Sequence, residues 1–188
     1  MDHIMLDTET LATTADAVIL SLGAVKFDIS TGEVDNAGFY ASISIESNLQ
    51  THRRINEETL KWWMKQASAA QGVFFEEKQA LCDTLDSFTD WVGPNTDNVK
   101  VWSMGADFDL PLLAHAYAQY GMTPPWKFWN HRCARTFKNL PGAQVVPSIK
   151  TGVAHNALAD ALNQAVYISA IHAALFPPTA MTKPRKVK

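Results

Sequence analysis

The sequence has few cysteines and no long apolar run, and both absences narrow the class of protein. Its two cysteines, Cys82 and Cys133, are too few for a disulfide framework and lack the spacing of a metal site. No apolar run approaches the length of a membrane span, and the first residues lack the basic and then apolar order of a signal peptide. We therefore expect a soluble protein of a reducing, cytoplasmic setting.

An excess of positive charge is also missing. The formal net charge is −3, which argues against a module that binds nucleic acid through its charge alone. It does not argue against an enzyme whose bound metal cations supply the positive charge that the substrate phosphates require. The chain contains no internal repeat, and its 188 residues predict a single domain over residues 1–176 with a basic, flexible tail over 177–188.

The order of apolar patterns predicts an α/β protein. Strands are expected at residues 4–9, 17–27, 38–45 and 99–104, and a fifth is expected to start at 127–129. Residues 46–55 are expected to form a polar loop. The predicted helices start at Asn56, near Leu81, near Leu110, near Arg132 and near Asn156.

One predicted helix carries an aromatic residue off its apolar face. Leu60, Trp63, Met64 and Ala67 fall on one face of the helix that follows Asn56. Trp62 points away from that face, which makes it a candidate for contact with a ligand.

Two acids follow the first apolar segment. Asp7 and Glu9 are two residues apart, so in a strand their side chains project from the same face. No Lys or Arg occurs before Lys26 to neutralise them. A divalent cation with oxygen ligands, Mg²⁺ or Mn²⁺, is the simplest partner, although a solvated strand end would show the same pattern.

Three further polar residues stand where strands end or helices begin. Asp109 follows the fourth predicted strand, although it or Asp107 could be a helix cap. His155 and Asp160 are five residues apart and cannot share a face if both are helical. They converge if His155 lies on a loop before the helix and Asp160 in its first two turns.

Together these residues resemble the DEDD superfamily of 3′–5′ exonucleases, in its His-containing branch, which includes ribonuclease T and proofreading exonucleases. Residues 7–10, 106–109 and 155–161 are similar to its three motifs, in the same order. In the second motif the acid directly after Phe is the functional one, which selects Asp109 over Asp107. Residues 17–25, 59–63 and 129–136 resemble a smaller branch of phage and bacterial exonucleases and a mycobacterial exoribonuclease, in which an acid often stands at the position of Cys133.

This resemblance implies a ribonuclease H-like mixed sheet of five strands, the second antiparallel, flanked by helices. It also implies two metal ions roughly 3.5–4 Å apart, with Asp7 bridging them. Glu9 and Asp160 would complete one site, Asp109 would hold the other ion, and His155 would take a proton from the attacking water. The product would be a 5′-mononucleotide cut from the 3′ end of single-stranded or 3′-overhanging RNA or DNA. The resemblance also suggests a bacterial or phage-infected cell and a homodimer.

Contacts with the substrate follow less directly from the residues. The resemblance implies that Leu11 wedges against the terminal base. Trp62, which lies off the apolar face, is expected to stack on a base. Arg132 and Arg135 are candidate phosphate contacts, as are Arg53, Arg54 and the basic tail.

Two other functions fit parts of the pattern. One is a catalytically silent module on the same fold that binds nucleic acid or a partner. The other is a metal-dependent phosphohydrolase that acts on nucleotides rather than polymers. The choice between RNA and DNA depends on which protein groups contact the 2′-hydroxyl of the sugar, and no residue of the sequence indicates that contact.

Overall fold

The structure, a computed structural model, describes residues 1–35 and 37–177. Five strands form one sheet in the order β3-β2-β1-β4-β5. The strands are β1 (His3–Thr10), β2 (Ile19–Phe27), β3 (Phe39–Ser42), β4 (Lys100–Ser103) and β5 (His131–Cys133). β2 runs antiparallel to β1 and to β3, whereas β4 is parallel to β1 and β5 is parallel to β4. The predicted mixed sheet with an antiparallel second strand is confirmed.

Seven helices accompany the sheet in the described residues. They are α1 (Ile45–Gln50), α2 (Glu57–Trp63), α3 (Ser68–Gln71), α4 (Leu81–Val92), α5 (Asp109–Gln119), α6 (Ala134–Lys138) and α7 (Ala157–Leu175). Short 3₁₀ turns lie at Gly72–Phe74, Phe128–Asn130 and Ala143–Val145. No helix of the described residues is both long and apolar enough to cross a membrane.

Alternation along β1 gives the sheet two different faces. Ile4 and Leu6 belong to the core beneath α4 and α5, whereas Met5 belongs to the core beneath α6 and α7. Asp7 and Glu9 continue the row of Met5, so both carboxylates lie on the α7 side. They lie within β1, whose length exceeds the short strand that the sequence predicted.

The start of α7 lies close against β2. A Cβ atom added to Gly23 would lie 2.2 Å from the carbonyl carbon of Ala157 and from the amide nitrogen of Leu158. Gly23 pairs with Asp7 in the sheet. The absence of a side chain at residue 23 therefore lets α7 begin directly beside the first acidic residue.

The predicted loop over residues 46–55 is wrong, because α1 occupies its first half. Ser44 caps this helix by accepting a hydrogen bond from the Ser47 amide at 3.3 Å. The side chain of buried Asn48 accepts a hydrogen bond from the Ile19 amide (2.9 Å) and donates one to the Ile19 carbonyl (3.1 Å). This contact with β2 stabilises a helix too short to be stable alone.

Two other predictions about elements need correction. Trp63 is buried as the predicted face of α2 requires, but Leu60 and Met64 are exposed, so the apolar face is covered only in part. Residues 128–130 form a 3₁₀ turn, so the fifth strand starts at His131. The predicted domain boundary at 176 stays a prediction, and the tail from residue 178 lies outside the described residues.

Candidate active site

The second-motif acid is held by the first motif. Asp109 is the first residue of α5, and Phe108, which lacks a capping side-chain hydrogen bond, is its N-cap residue. The Asp109 carboxylate instead accepts hydrogen bonds from the Thr8 amide (3.2 Å) and the Thr8 hydroxyl (2.7 Å). Neither Asp109 nor Asp107 is therefore the helix cap that the sequence allowed. The contact fixes α5 to β1 between the two acids of the first motif.

His155 and Asp160 converge as the loop-and-helix arrangement requires. His155 precedes α7 and has a left-handed backbone with φ of 61°. Its amide donates a hydrogen bond to the Asp160 carboxylate at 3.0 Å. Asn156 caps α7 by accepting a hydrogen bond from the Ala159 amide at 3.0 Å. The backbone turn at His155 thus leads directly into the turn that carries Asp160.

Asp7 has a partner that the sequence analysis did not identify. The Gln164 side-chain amide donates a hydrogen bond to the Asp7 carboxylate at 2.9 Å. The other end of this amide, Gln164 Oε1, is buried without a hydrogen-bond partner among the described residues. Gln164 follows Asp160 by four residues on α7, so helical spacing places the two side chains on the same face. That spacing is the feature of the sequence that could have identified Gln164.

Three of the candidate residues could hold a metal ion. One ligand atom each of Glu9, His155 and Asp160 lies within 4.8 Å of the others. This grouping differs from the predicted set of Asp7, Glu9 and Asp160, since it contains His155 in place of Asp7. The carboxylate oxygens of this cluster suit Mg²⁺ or Mn²⁺.

Burial and repulsion change the protonation of the acids. Burial, together with Asp160 and Asp109, raises the pKa of Glu9 to about 8. Burial raises the pKa of Asp109 to about 6, although the hydrogen bonds from Thr8 oppose the shift. Burial and the neighbouring acids also raise the pKa of Asp7. The ionised forms of these buried neighbouring acids therefore repel one another, and a divalent cation would reduce that repulsion. The raised pKa values of these acids therefore fit a binding site for Mg²⁺ or Mn²⁺.

The five predicted catalytic residues share one cavity of about 300 Å³. Asp7, Glu9, Asp109, His155 and Asp160 all line it, and we call it the acidic cavity. Lys150 and Gln164 also line it. Lys150 belongs to a loop of weak pattern, and nothing in the sequence placed it beside the acids.

Trp62 lies next to the acidic cavity. Its ring meets that of His155 edge to face, with centroids 4.9 Å apart and planes at 82°. It is 42% exposed and lines a neighbouring cavity of about 510 Å³, which also includes Glu9 and Phe108. We call this the tryptophan cavity.

The other predicted substrate contacts fare differently. Leu11 is 1% exposed and packs in a core with Val18, Leu20 and Trp63, so as placed it offers no surface to a base. The wedge expected of Leu11 stays a prediction. Arg53 is also buried, and its guanidinium donates hydrogen bonds to the carbonyls of Ala17 (2.6 Å) and Ala15 (3.1 Å), which makes it a structural residue.

Arg54, Arg132, Arg135 and Cys133 are placed outside the acidic cavity. Arg54 forms an ion pair with Asp16 at 2.9 Å. Arg132 donates to the Trp129 and His131 carbonyls, and Arg135 donates to the Met104 carbonyl at 2.8 Å. Their phosphate contacts stay predictions. Cys133 caps α6 through a hydrogen bond from the Thr136 amide to its sulfur.

A comparison with known protein families matches nearly the whole chain. Residues 2–172 match the family described as Rv2179c-like, the 3′-5′ exoribonuclease Rv2179c-like domain. The chain belongs to this family. It is therefore a member of the DEDD 3′–5′ exonuclease superfamily, as the three motifs indicated. No curated protein matches the chain.

A solved structure supports the fold independently. The chain is similar to S. pombe Pop2p in its Mg²⁺- and Mn²⁺-bound form, with a TM-score of 0.63 and 13% sequence identity. The match covers 92% of this chain and 83% of that one. At this identity the likeness shows the ribonuclease H-like fold alone. Family membership and fold together support a 3′–5′ exonuclease.

Proposed function

We propose that this chain is a metal-dependent 3′–5′ exonuclease that releases 5′-mononucleotides from the 3′ end of single-stranded or 3′-overhanging nucleic acid. The observation that carries the proposal is the convergence of four acids and one histidine on the acidic cavity. These residues come from β1, α5 and the start of α7, which are far apart in the chain. The family description makes RNA the first substrate to test.

The acids provide the binding site for Mg²⁺ or Mn²⁺. Glu9 and Asp160 would hold an ion beside His155, while Asp7 and Asp109 would complete a two-ion site. Bound metal would stabilise the charge of the attacking and leaving oxygens. The Mg²⁺- and Mn²⁺-bound form of S. pombe Pop2p is consistent with this choice of ions.

His155 is the proposed general base. It lies beside the carboxylates of Glu9 and Asp160 and accepts a proton from the attacking water. Its ring contacts those of Trp62 and Trp63 edge to face, at centroid distances of 4.9 and 6.1 Å. The Trp63 indole in turn donates a hydrogen bond to the Thr10 carbonyl at 2.9 Å. These contacts orient the imidazole toward the acidic cavity.

The terminal nucleotide would occupy the tryptophan cavity. Its base would stack on Trp62, a contact worth about 1–3 kcal/mol. The scissile phosphodiester would then lie over the acids. The homodimer that the resemblance suggested stays a prediction, as does the cytoplasmic location that the low cysteine content suggested.

The test is digestion of 5′-labelled RNA and DNA strands with Mn²⁺ or with chelator. We expect a ladder that shortens from the 3′ end, lost in chelator and in Asp7→Ala. Asp109→Asn should lower the rate at least about 100-fold, as loss of groups around a metal site does. Asp107→Asn is the matched control, because Asp107 is exposed and lies two residues away; its rate should stay within about twofold of wild type.

Circular dichroism spectra of all variants would separate loss of chemistry from loss of fold. Strand binding without cleavage by folded wild type would contradict the proposal and favour the silent binding module. Cleavage of mononucleotide esters in preference to polymers would favour the nucleotide phosphohydrolase.

A further inference from the structure

A third cavity adjoins the acidic cavity on the side of α6 and α7. Its volume is about 220 Å³, and two lysines, Lys138 and Lys150, line it. Met104, Lys150, Asp160 and Gln164 line both this cavity and the acidic cavity, so the two are neighbours. We call it the lysine cavity.

The lysine and tryptophan cavities meet the acidic cavity at different walls. The tryptophan cavity shares Thr8, Glu9 and Phe108 with the acidic cavity. None of these three residues lines the lysine cavity. The three cavities therefore follow one another, with the acids in the middle. A strand that places its terminal base at Trp62 and its scissile phosphate at the acids would continue toward the lysines.

Both lysine ammonium groups are available for an anion. Among residues 1–35 and 37–177, no carboxylate oxygen lies within 4.0 Å of the ammonium nitrogen of Lys138 or Lys150. Lys138 stands in the last turn of α6, where a cation also suits the helix dipole. The interaction of Lys138 with the helix dipole would not require a cavity or a second lysine. Binding of an anion would use both.

Hydrogen bonds hold the segment that carries Lys150. The Asn163 side chain on α7 accepts bonds from the Thr151 amide and hydroxyl, both at 3.0 Å. It also donates a bond to the Thr151 carbonyl at 2.8 Å. The residue next to Lys150 is thus fixed to the helix that carries Asp160, and the lysine is placed relative to the candidate catalytic site.

We propose that the lysine cavity binds the phosphate on the 5′ side of the scissile phosphodiester. The inference rests on the proposed exonuclease function and assigns one further subsite to it. Phosphate is the anion that the substrate supplies at this position, and two ammonium groups provide charge-assisted donors for it. They also supply local positive charge in a chain whose net charge is −3.

The test compares two dinucleotides that differ by one group. One carries a 5′-phosphate, which would occupy the lysine cavity, and the other ends in a 5′-hydroxyl. Wild type should cleave the phosphorylated dinucleotide with the higher kcat/KM. The double variant Lys138→Ala/Lys150→Ala should lose about tenfold of that preference, as removal of a charged hydrogen bond predicts. The single variant Lys150→Arg, with Lys138 unchanged, should keep most of the preference, because the positive charge remains.

Lys127→Ala is the control for general loss of positive charge. Lys127 pairs with Asp97 at 3.4 Å and lines none of the three cavities. Its variant should keep the wild-type preference. An unchanged preference in the double variant would overturn the inference while leaving the exonuclease function intact. The double variant could instead be inhibited less by nucleoside 5′-monophosphate than wild type while keeping the same preference for the 5′-phosphate. That result would assign the lysine cavity to the released product and would also overturn the inference.

A binding measurement keeps the two proposals separable. If wild type cleaves neither the dinucleotides nor the 5′-labelled strands, the proposed function is contradicted, and binding of a labelled single strand across salt concentrations decides the lysine cavity. Each lost phosphate contact should reduce the slope of log K against log salt by about 0.7. The same slope in wild type and in the double variant would overturn the inference.

Discussion

At the scale of single residues, the main feature is the protonation of Glu9. This side chain is 8% exposed and lies near two other acids, so its carboxylate is disfavoured when no cation is bound. In the unfolded chain the same group titrates near 4.5, whereas in the folded chain its pKa is about 8. Between these values the folded state binds the extra proton. Stability of the metal-free protein therefore falls as pH rises through this window.

Glu9→Gln should remove part of this pH dependence. At pH 5 the folded wild type already carries a neutral Glu9, so the variant and wild type should have similar free energies of unfolding. At pH 8 the metal-free variant should be the more stable by more than roughly 1 kcal/mol. Urea unfolding in chelator at both pH values measures the difference. Exposed Glu77→Gln is the control, and an equal effect of Glu9→Gln at both pH values would contradict the interpretation.

At the scale of elements, the site depends on how closely α7 approaches the sheet. The backbone at Ala157 and Leu158 occupies the space that a side chain on Gly23 would need. The same turn leads from His155 to Asp160, and it lies beside the pair formed by Asp7 and Gly23. The contact between β2 and α7 therefore sets the distance between the first and third motifs.

Gly23→Ala should destabilise the protein by about 3 kcal/mol or more, because a methyl group would meet backbone that cannot rotate away. Gly72→Ala is the matched control. No atom lies within 4 Å of its added Cβ, and its φ of −49° suits alanine. The control should change stability between zero and a gain of about 1 kcal/mol. Urea unfolding measures both, and equal stability of the two variants would show that α7 can move without cost.

At the scale of the whole molecule, the sheet and α7 bring together acids that the chain separates widely. Asp7 and Glu9 lie on β1, Asp109 begins α5 and Asp160 lies in the first turn of α7. An ion bound between them would connect the sheet with the final helix. Metal binding is therefore expected to stabilise the fold as well as support catalysis.

Mn²⁺ at about 100 times its Kd should stabilise the protein by about 2.7 kcal/mol. For a chain of this size the corresponding rise in Tm is roughly 5–10 °C. Asp160→Asn should lose most of this rise, whereas Asp90→Asn, at an exposed residue of α4, should keep it. Thermal unfolding followed by circular dichroism is the measurement. An undiminished rise in Asp160→Asn would place the ion elsewhere.

Local patterns were sufficient to predict several elements correctly. Leu81, Leu85, Phe88 and Val92 form the buried face of α4, and Gly93 follows its end with φ of 88°. Asn56 and Asn156 cap α2 and α7 through their side chains. These features depend on helical spacing and on hydrogen bonds within a few residues, so the sequence contains the information.

The missed elements and contacts depend on residues far apart in the chain. Helix α1 needs the bonds between Asn48 and Ile19, and Arg53 is buried because the carbonyls of Ala15 and Ala17 surround its guanidinium. Leu11 follows the first motif directly, yet it packs against Trp63 rather than facing the site. Hydrophobic or charged character alone does not indicate which of these side chains is covered.

The sequence by itself indicated the superfamily through its three motifs, and that resemblance implied the mixed sheet and the five candidate catalytic residues. The motifs are visible in the sequence because the spacing of residues within each of them is a local property. Only the tertiary structure decided that Gln164 contacts Asp7, that Thr8 holds Asp109 and that Lys150 lines the acidic cavity. Each of these contacts joins segments through the approach of α5 or α7 to β1. Such distances follow from packing of the whole molecule, which no short pattern specifies.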